Sequence, residues 1–268
     1  MKRLGVAIVS VSLMIVSGYA YADNFGFGAH IGYGTLQYEE HTDNPAARSN
    51  TAVSEQNVIL FGVSGEYTLP RKENLFVGIT TDWAIGLEDK ETWSKNFVPN
   101  QTNLLRIYGQ FYDLRFGYKN SIDTVSYRVY ASGGFDALHF RRDNFVQNGT
   151  PLPPALVTED FYLWRVGGGV SLGIEIVDGW ALDGRGAYSY YPAAAVENSN
   201  FPNVEIDTTG SCLDLGLGIV HSVTDKVNVY AGGSFTTLEL NSATSGNVLF
   251  PESETEILVG VLNATFAF

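Results

Sequence analysis

Cysteine, charge and long apolar runs are all scarce in this 268-residue chain. Cys212 is the single cysteine, so no intrachain disulfide can form and a disulfide-stapled secreted scaffold is excluded. Charged residues make up only 17%, less than in an average soluble domain. Beyond the first residues no apolar run approaches the roughly 18–20 residues of a membrane-spanning helix, so a helical membrane protein is excluded too. Basic residues are scarcer than acidic ones, 16 against 29, for a formal net charge of -13. An acidic surface repels a phosphate backbone, and nucleic acid is not expected as a partner.

Residues 1–22 have the make-up of a signal peptide. Lys2 and Arg3 precede an apolar stretch over 4–16, and Ala20-Tyr21-Ala22 places small residues at a cleavage spacing. A membrane anchor is the alternative, but the apolar part is short for a spanning helix. Two regions are expected, a signal peptide over 1–22 and one domain over 23–268.

What the domain has is alternation. Between 75 and 87 one face reads Leu75, Val77, Ile79, Thr81, Trp83, Ile85 and Leu87; the other reads Phe76, Gly78, Thr80, Asp82, Ala84 and Gly86. The segment 162–176 repeats the arrangement, with Tyr162, Trp164, Val166, Val170, Leu172, Ile174 and Ile176 against Arg165, Ser171, Glu175 and glycines. Period two with this contrast marks strands with one face in an apolar medium and the other in a crowded polar interior. Eight further segments follow the rule, at 24–38, 56–68, 104–118, 123–140, 180–192, 211–222, 226–240 and 255–268. Short connections at 70–74, 120–122, 177–179 and 223–225 alternate with long ones near 39–55, 88–103, 141–158, 193–210 and 241–254. Ten such strands predict an all-β fold, a ten-stranded antiparallel transmembrane up-and-down β-barrel, with both termini and the short turns at one end. A secreted β-sandwich also alternates, but its inward face would be the apolar one.

On this phase His30, Glu66, Asp82, Asp113, Arg115, Arg128, Asp136, Arg165, Glu175, Asp183, Arg185 and Asp214 point inward. Both signs occur, as charges in a confined, poorly solvated space require, and they are expected to form a lumen network that braces and plugs the barrel. A narrow polar pore lined by the same residues is the alternative, since ten strands lie between the eight that side chains fill and the sixteen that leave a channel. His139 near Glu88 or Asp89 is an acid–base candidate at the rim. No catalytic residue is assigned, and no metal-ligand spacing or cofactor motif stands out. Trp83, Trp164, Trp180, Tyr108, Tyr112, Tyr118, Tyr188 and Tyr190 fit an interfacial belt. Glu39, Glu40, Glu88, Asp89, Glu159, Asp160, Glu252, Glu254 and Glu256 read as solvated loop ends; cations shared with lipopolysaccharide are the alternative.

The signal peptide, the alternating strands and the final Leu262-Asn263-Ala264-Thr265-Phe266-Ala267-Phe268 resemble Gram-negative outer-membrane β-barrel proteins. That resemblance implies a cell outer-membrane location, with lipids and lipopolysaccharide around the barrel. It also implies recognition by the barrel-assembly machinery, with Phe266 and Phe268 as its signal. Strand count and loop pattern resemble the omptin proteases. The omptin catalytic pairs are not matched, since Glu88-Asp89 lacks the Asp-x-Asp spacing and 188–195 contains neither Asp nor His. A monomeric surface or structural protein with an occluded polar lumen is the leading reading. A small-solute channel or an omptin-like hydrolase are the alternatives.

Overall fold

A computed structural model describes residues 24–42, 50–70, 72, 74–95, 98–154 and 156–268. The expected signal peptide lies outside them. The described residues form fourteen strands: β1 (Phe25–Thr42), β2 (Asn50–Thr68), β3 (Leu75–Gly86), β4 (Asp89–Lys95), β5 (Val98–Ile122), β6 (Val125–Gln147) and β7 (Thr150–Pro151), then β8 (Leu156–Val177), β9 (Trp180–Asn198), β10 (Glu205–Thr224), β11 (Val227–Leu240), β12 (Ala243–Ser245), β13 (Val248–Phe250) and β14 (Glu252–Ala267).

Ten of them are linked in a ring by antiparallel pairing. The order is β1, β2, β3, β5, β6, β8, β9, β10, β11, β14, and β14 returns to β1 along a register from Gly26 opposite Ala267 to His41 opposite Glu252. β4 continues the line of β3 and pairs with both β2 and β5. Pairing on both sides satisfies backbone groups that an open sheet would expose. At the chain's end, the Phe268 amide donates to the Phe25 carbonyl at 2.9 Å and the two rings stack.

Asn24, the C-terminal Phe268 and the short turns lie at one end of the ring, the terminal end; the longer connections lie at the far end. Aspartate and glycine supply the tight turns, as Asp123 and Gly179 do with φ of 52° and 75°. Asn148 and Gly149, at φ of 49° and 81°, make the hairpin between β6 and β7 in the same way.

The strands run further than their sequence suggests. β5 spans 25 residues where 104–118 was expected, and β6 spans 23 in place of 123–140. Much of the expected long loops over 39–55, 88–103, 141–158, 193–210 and 241–254 is therefore ladder. The composition that suggested loops is Asn, Ser, Thr and acidic residues. Here it is the water-facing side of strands that extend well past the ~9–11 residues of a tilted membrane crossing.

Inside and outside exchange character along these strands. In the terminal half the outer wall is apolar: Ile31, Leu114, Phe116, Val170, Leu172, Ile174, Leu215, Leu217 and Leu262 are all exposed. In the far half the same strands turn their apolar residues inward. Leu36, Tyr38, Val58, Leu105, Ile107, Leu138, Phe140, Phe161, Leu163, Leu238, Leu240 and Ile257 form one buried cluster. Parity does not change along β1, where His30, Leu36 and Tyr38 share a phase; the hydrophobic residues change sides instead. The fill crosses the ring, since Tyr38 on β1 meets Phe140 on β6 edge-on at 4.7 Å between ring centres. Phe250, on the β12–β13 hairpin, enters the same cluster and packs against Phe161 at 6.0 Å.

Candidate functional site

Most of the paired inward charges of the terminal half gather in two groups. In the first, Glu66 accepts from Lys119 Nζ at 2.7 Å and from Arg128 Nη1 at 2.6 Å. In the second, Arg165 stands among Asp136, Asp113 and Asp214 at 3.5, 3.7 and 3.9 Å, and Arg115 pairs with Asp113. Tyr191 donates its hydroxyl to Asp136 at 2.7 Å, and Thr236 donates to Asp214 at 2.7 Å. These partners come from β5, β6, β8, β9, β10 and β11, so the second group braces six strands across the interior. Arg165 Nε and Asp136 Oδ1 are buried without a direct hydrogen bond.

His30 Nε2 lies 2.8 Å from Asp82 Oδ1, beside the first strand pairings. Gly62 makes room for them, because a Cβ there would fall 2.0 Å from the Asp82 carboxylate. Gly216 does the same for Arg185, whose Nε would be 2.5 Å from an added Cβ. Inward glycines in this half are therefore seats for large polar side chains laid along the wall. Asp183, Arg185 and Glu175 make no ion pair among the described residues, and Glu175 is exposed at the terminal end.

Sequence reasoning missed a third group. Arg142 on β6, 4% exposed, faces three carboxylates from three other strands. Its Nε donates to Glu91 on β4 at 2.9 Å, its Nη1 to Glu159 on β8 at 2.7 Å and its Nη2 to Glu40 on β1 at 2.9 Å. Tyr38, Phe140 and Trp93 rings surround the guanidinium with centres 5.5–5.8 Å away. Asn103 donates to Glu91 at 2.7 Å and Asn198 to Glu159 at 3.2 Å. The expectation that Glu40 and Glu159 are solvated loop ends is thus corrected: both lie buried on ladder strands, over the apolar cluster. The signal was present in the parity, since Glu40 keeps the inward phase of Leu36 and Tyr38, and Glu159 that of Phe161 and Leu163.

The rim candidate His139 faces outward. Its Nδ1 lies 2.6 Å from Asp160 Oδ1, next to Tyr108. Glu88 accepts from Arg106 at 3.1 Å, and Asp89 accepts from the Lys90 amide at 2.6 Å, so neither is joined to His139. Trp164, Tyr188 and Tyr190 border the apolar band on the far side and Tyr118 and Trp180 on the terminal side, all exposed. Phe266 and Phe268 are exposed at the terminal border. Among the described residues no cluster of His, Cys, Asp or Glu has the arrangement of a metal site.

An antiparallel ring whose terminal half has an apolar outer band and a polar inner wall has the fold of the outer-membrane β-barrels. The comparison with solved structures bears on that fold. The outer membrane protease OmpT from Escherichia coli is similar with a TM-score of 0.65 at 10% identity, over 92% of this chain and 98% of that one. The translocator domain of autotransporter NalP from Neisseria meningitidis has a TM-score of 0.39 at 13% identity, over 98% of this chain and 96% of that one. No family model and no curated protein matches the chain. The likeness to OmpT is one of fold.

Proposed function

We propose that this protein is a closed ten-stranded barrel spanning the outer membrane, with omptin-like strand count and topology. In this reading it serves as a monomeric, non-enzymatic surface or structural element whose lumen is occluded. The observation that carries the reading is the packing across the ring in the far half. Tyr38 and Phe140 touch from strands that are not neighbours, and Phe250 fills the mouth above Phe161. Each buried Phe or Leu contributes about 1.5–3 kcal/mol on leaving water, so an open aqueous path through this plug would give up many such contacts. The polar group around Arg165 then acts as a brace in the wet base of the barrel.

The long connections face the cell exterior and the short turns the periplasm, as in barrels of this class. Phe266 and Phe268 act as the assembly signal, and lipid and lipopolysaccharide surround the apolar band. Residues 1–22 direct export. The outward His139–Asp160 pair is a surface contact, because no nucleophile joins it among the described hydrogen bonds.

Purified folded protein in planar bilayers is expected to show no discrete conductance. Single-channel steps that change when Arg128 or Arg165 is replaced would overturn the occluded reading in favour of a pore. Cleavage of peptide or lipid that disappears with His139→Ala, Glu88→Gln or Asp89→Asn would overturn the non-enzymatic one.

A further inference from the structure

The group around Arg142 has an unusual charge balance. One guanidinium meets three carboxylates in a place largely shielded from water, so full ionisation leaves two uncompensated negative charges there. The three are not equally served. Glu91 receives hydrogen bonds from Arg142, Trp93 and Asn103, and Glu159 receives them at both oxygens from Arg142 and Asn198. For Glu40, the bonds from Arg142 and Tyr38 converge on one oxygen, Oε1.

We propose that this collar is an acid-tightened clamp: a proton held on Glu40 locks β1, β4, β6 and β8 together over the apolar plug, and loss of that proton loosens them.

The charged and titratable groups facing Glu40 come from its own strand and from three others. Tyr38 is on its own strand, Arg142 comes from β6, Glu159 from β8 and Glu91 from β4; Asn103 of β5 and Asn198 of β9 are neutral. Burial is the largest influence, and with repulsion from Glu159 and Glu91 it outweighs the attraction of Arg142, so the Glu40 carboxyl is pushed up to about 7. The collar lies beyond the apolar band, in the water-facing half of the strands, so bulk pH governs it.

The sign follows from proton linkage. A closed collar keeps the Glu40 proton at pH values where an opened one, with an ordinary value of 4.5, has lost it. The stabilisation is complete below about 4.5, is lost as pH rises to about 7, and is level above that. The local opening equilibrium therefore rises by up to about tenfold per pH unit within that window.

Hydrogen exchange on the intact protein in lipid nanodiscs, corrected for the intrinsic pH dependence of exchange, tests this. Peptides covering 36–42, 89–95, 138–147 and 156–163 are expected to lose protection up to about tenfold per unit toward neutral pH and then level off. Glu40→Gln should make the profile flat at high protection, while the outward neighbour Glu39→Gln keeps the slope. A flat profile in the unmodified protein, or an unchanged slope in Glu40→Gln, overturns the clamp. Carboxyl carbon NMR of the glutamate-labelled unmodified protein provides an independent reading that needs no collar variant. One glutamate is expected to titrate near 7. If every glutamate titrates near the ordinary value of 4.5, the clamp is wrong.

Discussion

The terminal half and the far half of the ring are built from the same strands but obey opposite rules. On β8, Val170, Leu172 and Ile174 point outward while the inward positions are Gly169, Ser171 and Gly173; twelve residues earlier Phe161 and Leu163 point inward while Asp160 points out. On β10, Leu213, Leu215 and Leu217 are exposed opposite Asp214, whereas Ile206 is buried between the exposed Glu205 and Asp207. One ladder can satisfy two solvents because backbone pairing is indifferent to which face is apolar. The boundary between lipid and water is therefore written as a change in which parity carries the large apolar residues.

Three substitutions and one deletion would break or sharpen that contrast. The largest effect is expected from Arg142→Met, which leaves three buried carboxylates without their cation and should destabilise the folded barrel by about 3–5 kcal/mol. Denaturant unfolding from lipid vesicles, followed by heat-modifiable migration, measures it; adding Glu40→Gln should restore part of the loss. Next comes Leu217→Arg, which places a charge on the outer wall within the apolar band and should cost about 2–4 kcal/mol in the same assay. A negligible cost would mean that this wall does not face lipid. Deleting Phe268 removes the terminal amide and ring that meet Phe25, and is expected to lower the amount of correctly inserted protein in membrane fractions. Unchanged insertion would remove its role as an assembly signal. The smallest effect, within about 0.5 kcal/mol, is expected from Asp207→Arg, on the same strand and face as Leu217 but beyond the band.

Much of the ring was legible in the sequence because lipid on one side and polar groups on the other give the strongest possible period-two contrast. The ten segments, the alternation of short and long connections and the inward phase of Asp113, Arg165 and Asp214 all came from it. Where water replaces lipid outside, the contrast weakens. Glu39, Glu55, Glu254 and Glu256 look like loop residues, although parity continues unbroken beneath them. The Arg142 group was hidden for a different reason. Glu40 lies 102 positions away in sequence and Glu91 51, and they meet the guanidinium only across the interior. Local spacing reads neighbours along a strand, whereas this site is made of strands one to four places apart around the ring.

The hairpin at Asn148 and Gly149 bears on a practical matter, the display of foreign sequence. A side chain added at Gly149 would meet nothing within 4 Å, and the tip stands at the end of the strands farthest from Asn24 and Phe268. A short epitope inserted there would extend from the strand ends, with no wall contact to disturb. Antibody access to that epitope on intact cells would report directly which compartment the far end enters.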